Sequence, residues 1–507
     1  MTFPVRSGTT GTRRTEPPYS HALRAGRLGR SGLVAFGMTA GTPLTVVAGV
    51  VTTGFAATGI TGLPAAFILI GATLWVFSIG YTAMARYITN AGSFYAYIAQ
   101  GASRRLGVGA AWLALISYNL LQVGLYGAIG AATKPVLQQY LHANPPWWVI
   151  ALAAWALTAV MGILKVDVNS RLLVWLLVAE VVVIIVYSVA NIVDPATGSL
   201  SLATLSPRSL FVHGSGALLA LAVLGFIGFE SPVVFTEEAR DSYSTVPAAT
   251  KACIGITAVL YTFGSWAMTM GSGPARIVAD SRDYGPDLLF NLAGSRLGQG
   301  AAEVGHLLLV GSIVAASISF HGTTARYGFA LGREQVLPTW LGRISNRTGA
   351  PIMASMAQSG IGFIVIVSYA AFGWDPLVQL FYWGGTIGGI GVLALLTMTS
   401  GAVIGFFAGH SYPEARWTTI GAPALAFAAL FVALFLALRN GATLLGVPPG
   451  HPLTWIVPVG LIATITFGAV WGNILRVRHP DVYAGIGQGA TSAAVRRANA
   501  AVARAVR

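Results

Sequence analysis

Three carboxylates stand inside stretches of the chain that are otherwise nearly free of charge. They are Glu180 within residues 172–190, Glu230 just after Gly225-Phe226-Ile227-Gly228-Phe229, and Glu303 near the start of residues 301–325. A charged carboxylate in an apolar membrane-like setting costs about 2.5–3.5 kcal/mol on insertion scales, so such a residue is either functional or firmly partnered. Glu180, Tyr187 and Asn191 recur at helical spacing and share one helix face. Glu180 and Glu230 are therefore read as groups that take up and release a proton or meet a cation, or else as hydrogen-bonded structural residues. For Glu230 the structural role, holding irregular backbone, is favoured. Glu303 lies at the edge of its stretch and reads as interfacial.

Two places offer backbone rather than side-chain chemistry. Ala40-Gly41-Thr42-Pro43 falls mid-way along one apolar run, and Gly225-Phe226-Ile227-Gly228 followed by Pro232 falls mid-way along another. Proline lacks an N–H and clashes with the preceding turn, and glycine is a weak helix former. A helix broken there frees N–H and C=O groups that hydrocarbon cannot satisfy, so the break must face protein, water or a ligand. The N-terminus of the half-helix that follows presents free N–H groups and a positive dipole end, suited to a substrate carboxylate. Paired interruptions in two halves of a membrane protein point to a transporter's binding site; the alternative is a pair of ordinary kinks. Polar residues on neighbouring runs extend the candidate pathway: Trp112, Asn119, Gln122 and Tyr126 on one, Ser312, Ser319 and Thr323 on another. Such stripes line a path or tie helices together.

The elements that must position these groups are membrane helices. The chain has 507 residues, of which 55% are hydrophobic and 9% charged. A soluble globular protein carries roughly 25% charged residues. Twelve apolar spans are expected at residues 32–58, 64–85, 109–133, 147–165, 170–192, 214–235, 249–271, 301–325, 351–372, 376–408, 418–438 and 453–475, numbered below as segments 1 to 12. With the N-terminus inside, 24 of the 30 lysines and arginines fall on the cytoplasmic side, which supports that orientation with both termini in the cytoplasm. The same loop placement explains the formal net charge of +14 without nucleic acid as a partner. Residues 1–30 are expected to form a disordered basic tail with no signal peptide, and residues 479–507 an Ala/Arg-rich tail, its end solvated or lying on the inner leaflet. Cys253, the single cysteine, reads as a small buried hydrophobe, and Gly384-Gly385-Thr386-Ile387-Gly388-Gly389 as a close-packing surface.

Several motifs, in order, resemble the amino acid–polyamine–organocation (APC) family. These are Asn90-Ala91-Gly92-Ser93-Phe94-Tyr95-Ala96-Tyr97, the Gly225–Glu230 stretch with Glu237-Glu238-Ala239-Arg240, the run Ala325–Pro338, and Thr348-Gly349-Ala350-Pro351. The resemblance implies an all-α integral membrane protein with an inverted five-helix repeat (residues 31–192 and 213–408, the LeuT-like fold) plus two further helices (417–478). It implies alternating access and transport of amino acids or related amines across a bacterial cytoplasmic membrane. It places the substrate at the two breaks, Ala40, Gly41, Thr42, Pro43, Gly225, Phe226 and Gly228, to which the polar stripe adds Asn119, Gln122 and Tyr126 as candidate lining. Many members have a Gly-Ser-Gly-like break in segment 1, from which this chain departs. Proton-coupled members often carry a lysine where Glu180 aligns.

The coupling ion is accordingly read as a proton, with sodium as the alternative, and the coupling residues as Glu180, Glu230, Ser319 and Thr323. Symport is expected, and exchange on the same site is the alternative. On the cytoplasmic side Glu237 or Glu238 is expected to pair with Arg86 or Arg326 as a latch, or else to be solvated. An enzyme is disfavoured: Ser319 and His321 point to different helix faces, and there is no zinc-type HExxH. No cofactor or metal is expected.

Overall fold

The computed structural model describes residues 19–20, 23–212, 214–409 and 412–493. Among these, ten helices are long and apolar enough to cross a membrane. Two shorter apolar helices, Trp147–Ile163 and Ser215–Gly225, stand where segments 4 and 6 are expected. Segments 3 and 8 run further than the sequence reading allowed, as Arg104–Leu141 and Gln299–Arg333. Arg326 and Arg333, expected in a loop, are thus on the last two turns of a helix. No proline interrupts the chain before Pro338, and Arg326, Ala330, Leu331 and Arg333 carry the helix past Gly328 and Gly332.

Burial separates the central helices from the outer ones. In segment 1 the most apolar window is 78% buried, whereas in segment 12, Leu453–Arg478, it is 11% buried. Segment 1 is therefore enclosed by protein, and segment 12 offers Trp455, Ile462 and Val477 to lipid. Glycine brings the central helices together. A Cβ on Gly388 of segment 10 would lie 2.7 Å from the Ser117 carbonyl oxygen of segment 3. Gly384 and Gly389 also pack closely, on Leu120 and Leu224, whereas Gly385 faces open space, so three of the four glycines serve the expected close packing.

Both predicted interruptions are present. Segment 1 ends its first half at Ala40, Thr42 adopts a left-handed conformation (φ 44°), and Pro43 opens the second half. Proline suits a first helical position because the N–H it lacks would be unpaired there. A π-helical turn, Val46–Val50, follows before the helix continues as Val51–Thr58. Segment 6 stops at Gly225, passes through an irregular stretch, and restarts as Ser231–Val234.

The N-terminal tail needs correction. Residues 1–18, 21 and 22 lie outside the described residues, but Tyr19–Ser20 pairs antiparallel with Ile344–Ser345. Arg27 and Leu28 donate backbone hydrogen bonds to the Glu238 carbonyl at 2.9 and 3.0 Å. This part of the expected disordered tail is fastened to the 238–240 loop, whose strand-like backbone pairs with it. At the other end, Leu453–Arg478 is followed by Pro480–Ala484 and a turn at Gly489–Thr491. The remainder of the Ala/Arg-rich tail, read as solvated or lying on the inner leaflet, lies outside the described residues.

Candidate substrate and coupling site at two helix breaks

The two breaks meet backbone to backbone. Gly228 has φ 121°, and a Cβ on it would fall 2.5 Å from the Gly41 amide nitrogen and 2.8 Å from the Ala40 carbonyl carbon. Only glycine permits that approach. Gly41 is further fixed by Tyr261 of segment 7, whose hydroxyl donates to the Gly41 carbonyl at 3.0 Å. Phe226 packs with Phe67 and Tyr261, with ring centroids 6.2 and 5.7 Å away, and a Cβ on Gly225 would touch Val46 at 3.3 Å. Ala40, Gly41, Pro43, Gly225, Phe226 and Gly228 are thereby gathered at one locus with buried Thr42.

Each break has its own carboxylate. Glu180, on segment 5 (Val166–Val193), lies against the second half of segment 1. Its Oε2 accepts the Leu44 amide at 3.3 Å and the Ser312 hydroxyl of segment 8 at 2.8 Å. Leu44 N–H is one of the donors that a helix start leaves unpaired, and its positive end favours the negative group. The other oxygen, Oε1, is buried with no hydrogen-bond partner among the described residues. Glu230 is held differently. Its Oε2 accepts the Gly228 amide at 2.9 Å, two residues back along its own chain, and its Oε1 accepts the Tyr118 hydroxyl of segment 3 at 2.8 Å.

The polar stripes divide. On segment 8, Ser312 reaches Glu180, Ser319 donates to the Phe36 carbonyl of segment 1 at 2.6 Å, and the buried Thr323 hydroxyl has no partner among the described residues. On segment 3 the expected face is split. Trp112 packs on Phe467 of segment 12, and Asn119 bonds back to the Leu115 carbonyl. Gln122 and Tyr126 face segments 8 and 9 instead. Gln122 Nε2 contacts the Tyr126 hydroxyl at 3.2 Å and His321 Nδ1 at 3.1 Å, Gln358 donates to Gln122 Oε1, and His321 Nε2 meets Ser355 at 2.8 Å. Asn119 is thus not gathered with the breaks, and Gln122 and Tyr126 are committed to a network joining segments 3, 8 and 9. The segment 3 residue that does reach a break, Tyr118, was missed; its only sequence signal is its i, i+4, i+8 relation to Gln122 and Tyr126.

At one end of the helix bundle two buried ion pairs tie the loop after segment 6 to segment 8. Arg326 grips Glu238 through Nε and Nη2 at 2.5 and 2.9 Å, and its guanidinium lies 4.0 Å from the Phe235 ring centre. Arg333 grips Glu237 at 2.7 and 2.6 Å, and Glu237 also takes the Ala91 amide at 3.0 Å. Both are bidentate, the strongest arrangement for this pair. Arg86, expected as one partner, instead lies over the Tyr243 ring at 4.8 Å. Arg333 takes that place because the helical extension of segment 8 carries it back to Glu237.

Residues 31–470, which include both facing helix breaks and their carboxylates, match the amino acid permease family. The chain belongs to that family. Among curated relatives, a lysine-specific permease of Lactococcus lactis is 22% identical over 372 residues, 70% of each chain. A chloroplastic cationic amino acid transporter of Arabidopsis thaliana is 25% identical over 240 residues, 45% of this chain and 36% of the relative. In fold, this permease is similar to two single-residue variants of a manganese transporter of Eremococcus coleocola. The TM-scores are 0.55 and 0.52 at 15% identity, covering 89% and 88% of this chain and 94% and 95% of those chains.

Proposed function

We propose that this permease carries amino acids across the cytoplasmic membrane by alternating access, driven by a proton gradient. In this reading the chain crosses the membrane twelve times. Residues 31–192 and 213–408 form inverted five-helix repeats, residues 417–478 add two helices, and both termini face the cytoplasm, as the charge distribution favours. The substrate binds across Ala40–Pro43 and Gly225–Gly228, where freed backbone groups receive its carboxylate and amino groups. The observation that carries the proposal is the half-satisfied Glu180: one oxygen holds the segment 1 half-helix and segment 8 together, and the other is unpartnered. A proton on that free oxygen changes how strongly Glu180 holds Leu44 and Ser312, and so couples protonation to the movement of segment 1. Ser319, bonded to the Phe36 carbonyl, ties the inner half of segment 1 to segment 8 and releases it on inward opening; Thr323 lies one turn further in.

Glu230 stands with both oxygens used, which suits a positioning role for the segment 6 break. Arg326 with Glu238, and Arg333 with Glu237, form the cytoplasmic gate. The named substrates of the two curated relatives, lysine and cationic amino acids, suit a site whose unpartnered group is a carboxylate. Lysine and arginine therefore head the panel to be tested, ahead of neutral amino acids and amines.

The test is uptake of labelled compounds into proteoliposomes, with and without an inward proton gradient. Gradient-stimulated accumulation of one class is the expected result. Rapid uptake only into liposomes preloaded with the same compound would replace symport by exchange and remove Glu180 as coupler.

A further inference from the structure

Beyond the gate, one buried carboxylate on the cytoplasmic face has no part in the transport cycle described above. Glu334, the residue after Arg333, is fully buried. It accepts three hydrogen bonds: from Asn90 Nδ2 at 2.9 Å, and from the Gly487 and Gly489 amides of the C-terminal segment at 2.7 and 2.8 Å. The segment is built for this seat. Gly487 and Gly489 hold φ of 80° and 58°, and a Cβ on Gly489 would lie 2.7 Å from the Thr89 carbonyl oxygen. Ile486, just before them, is fully buried, Gln100 donates to the Gly487 carbonyl at 2.7 Å, and Arg104 lies over the Tyr483 ring.

This seat adjoins the gate on both sides. Asn90 precedes Ala91, whose amide binds Glu237, and Glu334 follows Arg333, which grips Glu237. Burial raises the Glu334 carboxyl above its ordinary range, opposed by the Gly487 and Gly489 amides and the Arg333 charge. Undocking the segment would wet Glu334, favour its charged form and strip two of its three donors. A charged, donor-starved carboxylate beside Arg333 would then compete with Glu237 for the same guanidinium.

We propose that residues 480–493 form an autoinhibitory strap. Docked, the strap occupies Glu334 and leaves Arg333 to Glu237, so the cytoplasmic side stays shut. Released, it frees Glu334 to draw Arg333 away, and the inner gate loosens. The proposal rests on the alternating-access reading but not on any substrate or coupling ion.

The chain carries its own reporter. Cys253, its single cysteine, is buried with Sγ 3.7 Å from the Val34 carbonyl oxygen, against the cytoplasmic half of segment 1. Opening of that half exposes the thiol, so the rate of alkylation by N-ethylmaleimide reads inward opening without any transport assay. The rate is measured in the full chain, in G489V, and in a chain ending at His479, each with and without E334Q. The expected result is labelling about five- to tenfold faster in G489V and in the shortened chain, the lower end of usual coupling strengths. Adding E334Q, which removes the competing charge, should return both towards the rate of the full chain. Unchanged labelling in the shortened chain overturns the strap. Acceleration that persists with E334Q overturns the Glu334 switch, since general loosening would not depend on that charge. Failure of proton-driven uptake, by contrast, would leave these rates unaffected and count only against the transport reading.

Discussion

The breaks in segments 1 and 6 solve one problem in opposite ways. At segment 6 the carboxylate comes from the break itself: Glu230 reaches back to the Gly228 amide and out to Tyr118, and both oxygens are used. At segment 1 the carboxylate comes from another helix: Glu180 holds Leu44 and Ser312 with one oxygen and leaves the other without a partner. A buried carboxylate with all its bonds made is costly to disturb, whereas one with an unused oxygen has capacity for a proton or a ligand. The contrast suits the proposed division, holding for Glu230 and coupling for Glu180, which the place of Glu230 directly after a glycine-rich break already favoured in sequence.

That assignment is open to direct attack. The largest expected effect is Glu180→Gln, which should abolish gradient-driven accumulation in proteoliposomes while leaving exchange, and shift unfolding by only about 1 kcal/mol because an acceptor for Leu44 remains. Retained accumulation in that variant would sink the coupling role. Next comes Gly228→Ala. Its Cβ would press on the Gly41 amide in a backbone conformation that alanine resists, so a loss of about 3 kcal/mol or more is expected, seen as a lowered melting temperature in detergent. Glu230→Ala leaves the Gly228 amide and the Tyr118 hydroxyl unpaired, and should cost about 2–4 kcal/mol by the same measurement. If Glu230→Ala proved harmless to folding yet ended proton coupling, the two roles would have to be exchanged. The smallest effect belongs to Tyr118→Phe, about 1 kcal/mol with coupling intact, since Glu230 keeps its bond to Gly228.

Much of this was legible beforehand because it depends on local chemistry. Pro43, Gly41 and Gly228 interrupt helices wherever they sit, and both interruptions fall where those residues predicted. Gly384, Gly388 and Gly389 of segment 10 meant close packing for a similar local reason. The readings that failed depended on helix rotation and exact helix length. Trp112, Asn119, Gln122 and Tyr126 were placed on one face, yet a modest rotation separates those that meet segments 8 and 9 from Trp112 on segment 12. Arg86 was chosen over Arg333 because segment 8 was ended eight residues early. Nothing in the composition of residues 23–30 or 480–493 indicated that they dock, because their partners are hundreds of residues away.

Hydropathy, charge asymmetry and breaker residues therefore suffice for a membrane transporter with two interrupted helices, since each acts through its immediate neighbours or through the bilayer. Which oxygen of which glutamate is left unpaired, which arginine pairs with Glu237, and where the C-terminal segment binds are settled only when distant helices meet. Those outcomes turn on distances of an ångström or less between groups that the linear chain keeps far apart.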